Sequence, residues 1–98
     1  MAAHYQKNGY RLLRWRWKTP FAEVDLFFAD NRRPTRKVLV EVKRRKDSSF
    51  RDYALGPKQE ARLKRVQSWL SDSGHIVEFQ LAFVDQNGKI EIQTEVFG

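Results

Sequence analysis

The sequence predicts a single α/β domain over residues 1–98, a mixed β-sheet flanked by helices in the order α-β-β-β-α-β-β. Three observations carry this. Three short apolar runs, at 10–17, 22–29 and 36–45, are rich in β-branched and aromatic residues and bounded by polar turn residues. A stretch opened by Pro57 repeats its large apolar residues at helical spacing. Two further strand-like runs then flank an Asn-Gly pair.

The elements follow in order. Residues 2–9 suit a short helix, or the end of a longer one, stopped by Asn8-Gly9. YRLLRWRW at 10–17 and AEVDLFFA at 22–29 read as the first two strands, and RKVLVEVKRR at 36–45 as the third. DNRRPT between the last two has the turn chemistry of a hairpin. KDSSFRDYALG at 46–56 is polar and aperiodic, longer than the usual connection of roughly 2–6 residues. Pro57 suits the first turn of a helix running to Asp72, with Gly74 as its stop. Leu63, Val66, Trp69 and Leu70 form its apolar stripe. IVEFQLAFV at 76–84 and KIEIQTEVF at 89–97 are the last strands.

Composition narrows the class. The apolar fraction of 41% and 13% aromatics suffice for one folded core. There is no cysteine, so disulfide staples and thiolate metal sites are excluded, and a reducing cytoplasm is the expected compartment. No apolar run approaches the roughly 18 residues of a membrane span, and the first residues lack the hydrophobic segment of a signal peptide. The net charge of +7 is polarised: residues 1–65 hold 18 of the 19 Lys and Arg against seven acids, while 66–98 hold one Lys against five acids. A basic half of this kind points to a polyanion, with nucleic acid ahead of a membrane surface.

The chemistry-bearing residues interrupt the second and third strands. Side chains alternate along a strand, so Leu39, Glu41 and Lys43 share one face and Val38, Val40 and Val42 the other. In the second strand Glu23, Asp25 and Phe27 oppose Val24, Leu26 and Phe28. An antiparallel hairpin lets Asp25 approach Glu41 and Lys43, leaving the valine face to pack on the 57–72 helix. Two carboxylates 4 Å apart repel by about 1 kcal/mol in water and about 4 at an effective dielectric near 20. Lys43 offsets part of that and a divalent cation offsets more. An all-oxygen site without Cys suits Mg²⁺ or Mn²⁺, held by Asp25, Glu41 and a backbone carbonyl, that of Val42. Lys43 then orients water or stabilises charge on phosphorus, which is metal-assisted phosphodiester hydrolysis. A solvent-facing strand with a Glu41–Lys43 salt bridge is the alternative.

Around this triad, Lys58, Arg62 and Arg65 make one basic helical stripe, and Arg44, Arg45 and Lys46 follow the third strand. Both sets suit phosphate contacts, which give affinity without sequence preference. Trp15 and Trp17 are placed on one face of the first strand, opposite Arg14 and Arg16; such spacing fits a core or subunit interface better than a base-stacking surface. His4 and His75 have no partner in the pattern. The C-terminal hairpin suits either extension of the sheet or the edge of a homodimer.

AEVDL, then VLVEVKRR, then PKQEARLKRVQSWL, with KNGYRLLRWRW upstream, resembles the YraN-like family of small bacterial proteins along nearly the whole chain. The resemblance implies a restriction-endonuclease-like PD-(D/E)XK fold, similar to archaeal Holliday junction resolvases, which are dimers. It implies that Asp25, Glu41 and Lys43 are the D…E-x-K triad of a metal-dependent nuclease or nuclease-like DNA-processing protein, with Glu23 as a further acidic residue and Lys58 in the helix-opening K-Q position. Ala22 stands where the family usually has Gly. The family's first-helix Gly-Glu pair has no counterpart in these residues, which gives a second expectation: a non-catalytic nucleic-acid-binding module that keeps the fold.

Overall fold

The structure, a computed structural model, describes residues 1–44 and 56–94. Helix α1 is Ala2–Lys7, β1 Tyr10–Lys18, β2 Glu23–Asp30, β3 Arg33–Arg44, α2 Pro57–Ser71, β4 Ile76–Val84 and β5 Ile90–Gln93. The strands form one sheet in the order β1-β2-β3-β4-β5. β3 and β4 run parallel, and the other neighbours are antiparallel. The sense follows from the connections, because tight turns join antiparallel strands and a parallel pair needs a crossover, which α2 supplies. The mixed α/β order expected from the sequence is the order observed.

Local chemistry sets the turns. The Asp30 carboxylate accepts the Arg32 N–H at 2.9 Å, so Asn31 and Arg32 alone reverse the chain and Asp30 pairs with Arg33. β3 therefore begins earlier than expected, and the predicted six-residue turn contracts to two. That N–H bond is also the main reason the Asp30 carboxyl is held below its ordinary range. At the other hairpin Asp85 Oδ1 accepts the N–H groups of Asn87 and Lys89, each at 2.9 Å, and Gly88 takes φ +81°, open to glycine without strain.

Helices cover both faces of the sheet. On one face Leu63, Val66 and Leu70 of α2 pack with Phe27, Leu39 and Phe83. On the other, Tyr5 of α1 packs with Leu26, Phe28, Val38 and Val40. This corrects the expected packing: α2 lies over the Leu39 side of β3, and the valine side belongs to α1. Because Glu41 is two residues beyond Leu39, alternation brings it toward α2 as well.

Strict alternation fails in β1 and β2. Arg16 takes φ +48°, and the β1–β2 register slips between Leu12 and Arg14. Trp15 and Trp17 consequently do not share a surface. Trp15 is 68% exposed, whereas Trp17 stacks on Phe27 at 4.9 Å and lies beside Trp69 at 5.8 Å. Val24 joins the α2-side core while Leu26 and Phe28 join the α1 side, so these three do not form one face either. The reversal is centred on Asp25.

A polar chain ties α1 to the sheet. The Tyr5 hydroxyl donates to Gln80 Oε1 at 2.8 Å, and Gln80 Nε2 donates to Glu78 at 3.2 Å. Arg36 pairs with Glu78 and donates to Asp30 at 3.1 Å and to the Tyr10 hydroxyl at 3.0 Å. Burial raises the Tyr5 phenol above its ordinary range. Buried Asp30 and Gln80 are thus satisfied, as interior polar groups must be.

Candidate functional site

Asp25 and Glu41 meet where the sheet forks. β2 and β3 pair as far as Leu26 with Val40, and the same register carried one step further sets Asp25 opposite Glu41. There the ladder stops: β2 continues against β1 through Val24 and Glu23, and β3 against β4 through Val42 and Lys43. Asp25 bridges the opening, its Oδ2 accepting the Val42 N–H at 2.7 Å.

Both carboxylates line a cleft of about 280 Å³ beneath the first turns of α2, with Glu23, Gln59 and Arg62 also at its wall. Glu41 has two unlike oxygens. Oε1 lies 3.7 Å from Lys43 Nζ, and Oε2 is buried with no hydrogen-bond partner. Burial first, and the neighbouring Asp25 second, push the Glu41 carboxyl up to about 7, while Lys43 pulls against them. An acid that ionises readily elsewhere here holds its proton more tightly, and its Oε2 has no hydrogen-bond partner to stabilise the charge.

Most of the remaining candidates separate around this cleft. Glu23 is exposed, opposite Lys18 in the register, and reaches the same wall. Among the described residues no three His, Cys, Asp or Glu converge as a ligand cluster, so Asp25 and Glu41 are the paired acids. Of the basic stripe, Arg62 faces the cleft, Arg65 lines a neighbouring hollow, and Lys58 is exposed at the helix start. Arg44 lies toward the α1 side, in a hollow of about 520 Å³ with Trp15 and Arg16 that also touches Asp25. Arg45 and Lys46, like the 46–55 stretch, fall outside the described residues. Gln59 is the cleft residue that charge and periodicity do not single out; it follows Lys58 directly in the PKQ opening of α2. His75 Nδ1 is buried without a partner, away from the acids.

The donor set suits a hard cation. Mg²⁺ is commonly held by one or two carboxylates, with water completing its shell, and the partnerless Glu41 oxygen beside Asp25 offers what such an ion neutralises. No helix among the described residues is long and apolar enough to cross a membrane.

Comparison with known proteins identifies the lineage. A UPF0102 protein of Bradyrhizobium diazoefficiens is 36% identical over 84% of this chain, and one of Rhodopseudomonas palustris is 35% identical over 84%. The chain spans about 60% of the length of these two relatives. A UPF0102 protein of Ruegeria pomeroyi is 33% identical over 96% of the chain and 78% of its own length. The model of Uncharacterised protein family UPF0102 matches residues 1–90, and the chain belongs to that family.

Proposed function

We propose that the chain is a metal-dependent nuclease with the restriction-endonuclease-like PD-(D/E)XK core, acting on DNA in the cytoplasm. The observation that carries the reading is the Asp25–Glu41 pair at the sheet fork, with a buried carboxylate oxygen lacking any partner. Lys43 approaches Oε1 alone, at 3.7 Å, and leaves Oε2 buried without a hydrogen-bond partner.

Asp25, Glu41 and the Val42 carbonyl would hold Mg²⁺ or Mn²⁺, with Glu23 at the outer wall. Bound there, the ion supplies charge neutralisation and acidifies water for attack on phosphorus. The side chains do the rest. The Val42 N–H fixes the Asp25 carboxylate on β3. With the ion bound, Glu41 would serve as a carboxylate, because the positive charge would offset both the burial and the Asp25 repulsion that favour its protonated form. Lys43, on the rim beside Glu41, directs the attacking water and stabilises the charge developing on the phosphoryl oxygens. Arg62 on the opposite wall holds a flanking phosphate and Gln59 donates to a phosphate oxygen, while Lys58 and Arg65 extend the track along α2.

The test is incubation of the purified chain with duplex, flapped, branched and single-stranded DNA, with and without Mg²⁺ or Mn²⁺. The expected result is metal-dependent cutting, lost in folded Asp25→Ala and Lys43→Ala variants. Survival of every substrate ends the enzyme reading. The absence of a third converging acid among the described residues favours a second reading, a DNA-binding module that does not cut. That reading predicts DNA affinity unchanged by metal and by Asp25→Asn.

A further inference from the structure

One helical turn beyond Arg62 along α2 lies a second hollow of about 380 Å³, lined by Phe21, Lys64, Arg65, Ser68, Trp69 and Asp72. Phe21 directly precedes Ala22 and Glu23 of the acid cleft, and Arg65 follows Arg62 by one turn, so the walls of the two hollows are neighbours along the chain.

Phe21 and Trp69 are each 39% exposed, and their rings meet edge to face at 6.2 Å. Neither ring is loosely placed. Trp69 is backed by Trp17 at 5.8 Å, which stacks on core Phe27 at 4.9 Å, so a file of aromatics runs outward from the core and ends at the surface. Phe21 sits on the tip of the β1–β2 hairpin. There the Thr19 hydroxyl accepts the N–H groups of Phe21 at 3.3 Å and Ala22 at 3.0 Å and donates to the Ala22 carbonyl at 2.6 Å. Holding a half-exposed phenylalanine on a fixed turn leaves apolar area in water, a cost that a ring-binding ligand removes.

The charges choose the ligand. Arg65 lines this hollow, beside Lys64, which pairs with Glu60 at 3.4 Å, and both lie in the half of the chain that carries the basic excess. A second copy of this chain would bring the same cations against them, whereas a nucleic acid strand brings a π-face to the rings and a phosphate to the arginine. Ser68 and Asp72 add polar acceptors to the lining, of the kind that take the N–H groups of a base edge. A base inside a duplex has both faces covered by its stacked neighbours, so the ligand is a base of a single strand.

We infer that Phe21 and Trp69 form a stacking site for an unpaired base of single-stranded DNA, with Arg65 on its phosphate, next to the Asp25–Glu41 cleft. Resting on the nuclease reading, this site makes the substrate a DNA with a single-stranded segment flanking the scissile bond, and it disfavours a blunt duplex.

Fluorescence-anisotropy titrations of the wild-type chain in EDTA compare a labelled oligothymidylate with an abasic strand of equal length and charge. The site predicts about tenfold tighter binding of the thymidylate. The preference should fall toward unity in Phe21→Ala and Trp69→Ala and persist in Asp25→Asn. Equal affinity of the wild type for the two strands overturns the inference without requiring any variant to fold. So does equal affinity for a blunt duplex of the same length, or a dimer in sedimentation that Trp69→Ala dissociates while the base preference is absent. The two readings fail separately. A base preference with no substrate cut leaves this site standing and removes the hydrolysis; cutting without a base preference does the reverse.

Discussion

The Asp25 carboxylate takes its hydrogen bond from the backbone N–H of Val42, at 2.7 Å, across the point where β2 and β3 part. A side chain thus replaces a ladder bond, and the replacement allows the sheet to open. A paired ladder would set Asp25 and Glu41 across continuous strand. At the fork the two acids instead stand at the mouth of a cleft roofed by α2. Apolar residues at these positions would give a better core but no opening.

Glu41 should make the metal-free protein lose stability as pH rises. The folded carboxyl keeps its proton up to about 7, against 4.5 for the ordinary group, so between these values the folded state binds more protons than the unfolded one. The contribution is whole below the lower value and is lost as pH climbs through the upper one. Glu41→Gln should remove this slope and, after allowance for screening at a partly exposed site, stabilise the chain at pH 8 by about 1–2 kcal/mol in EDTA. Urea midpoints at pH 4.5 and 8 for both proteins check it. Parallel pH profiles would refute it.

Arg62 should act through phosphate. Arg62→Ala is expected to weaken DNA binding uniformly across sequences and to lower the slope of log K against log salt by about one. Stability should move by less than about 0.5 kcal/mol, because the residue, though at the cleft wall, is exposed to solvent. Titrations at several salt concentrations measure the slope, and an unchanged slope would remove Arg62 from the interface.

Tyr5 should be structural. Tyr5→Phe takes the donor from buried Gln80 and leaves its oxygen 75 residues along the chain without that bond, at a cost of about 1–3 kcal/mol. Urea unfolding of the two proteins should show that loss with DNA binding intact. A variant as stable as the parent would mean the α1 anchor is not carried by this bond.

How far these features were legible in the sequence depends on the kind of signal each leaves. Turns governed by one side chain are written locally, as at Asp85 and Gly88. Strand and helix identities follow from period, and Pro57 marks the start of α2 to the residue. Glu41 and Leu39 share a face by alternation alone, but which helix covers that face is a tertiary choice, and the sequence favoured the wrong one. Alternation also fails where a backbone leaves the β region. Arg16 at φ +48° sends Trp15 and Trp17 to different environments, and no composition rule marks an arginine for that conformation. Gln59, uncharged and off the apolar stripe, becomes notable only once α2 lies over the acids.

The most direct test is calorimetric titration of Mn²⁺ at pH 8 into the wild-type chain and into folded Asp25→Asn and Glu41→Gln variants. Convergence of the two acids on one ion predicts a single saturable site in the wild type that both substitutions abolish. No binding to the wild type, or binding that survives both changes, would contradict it.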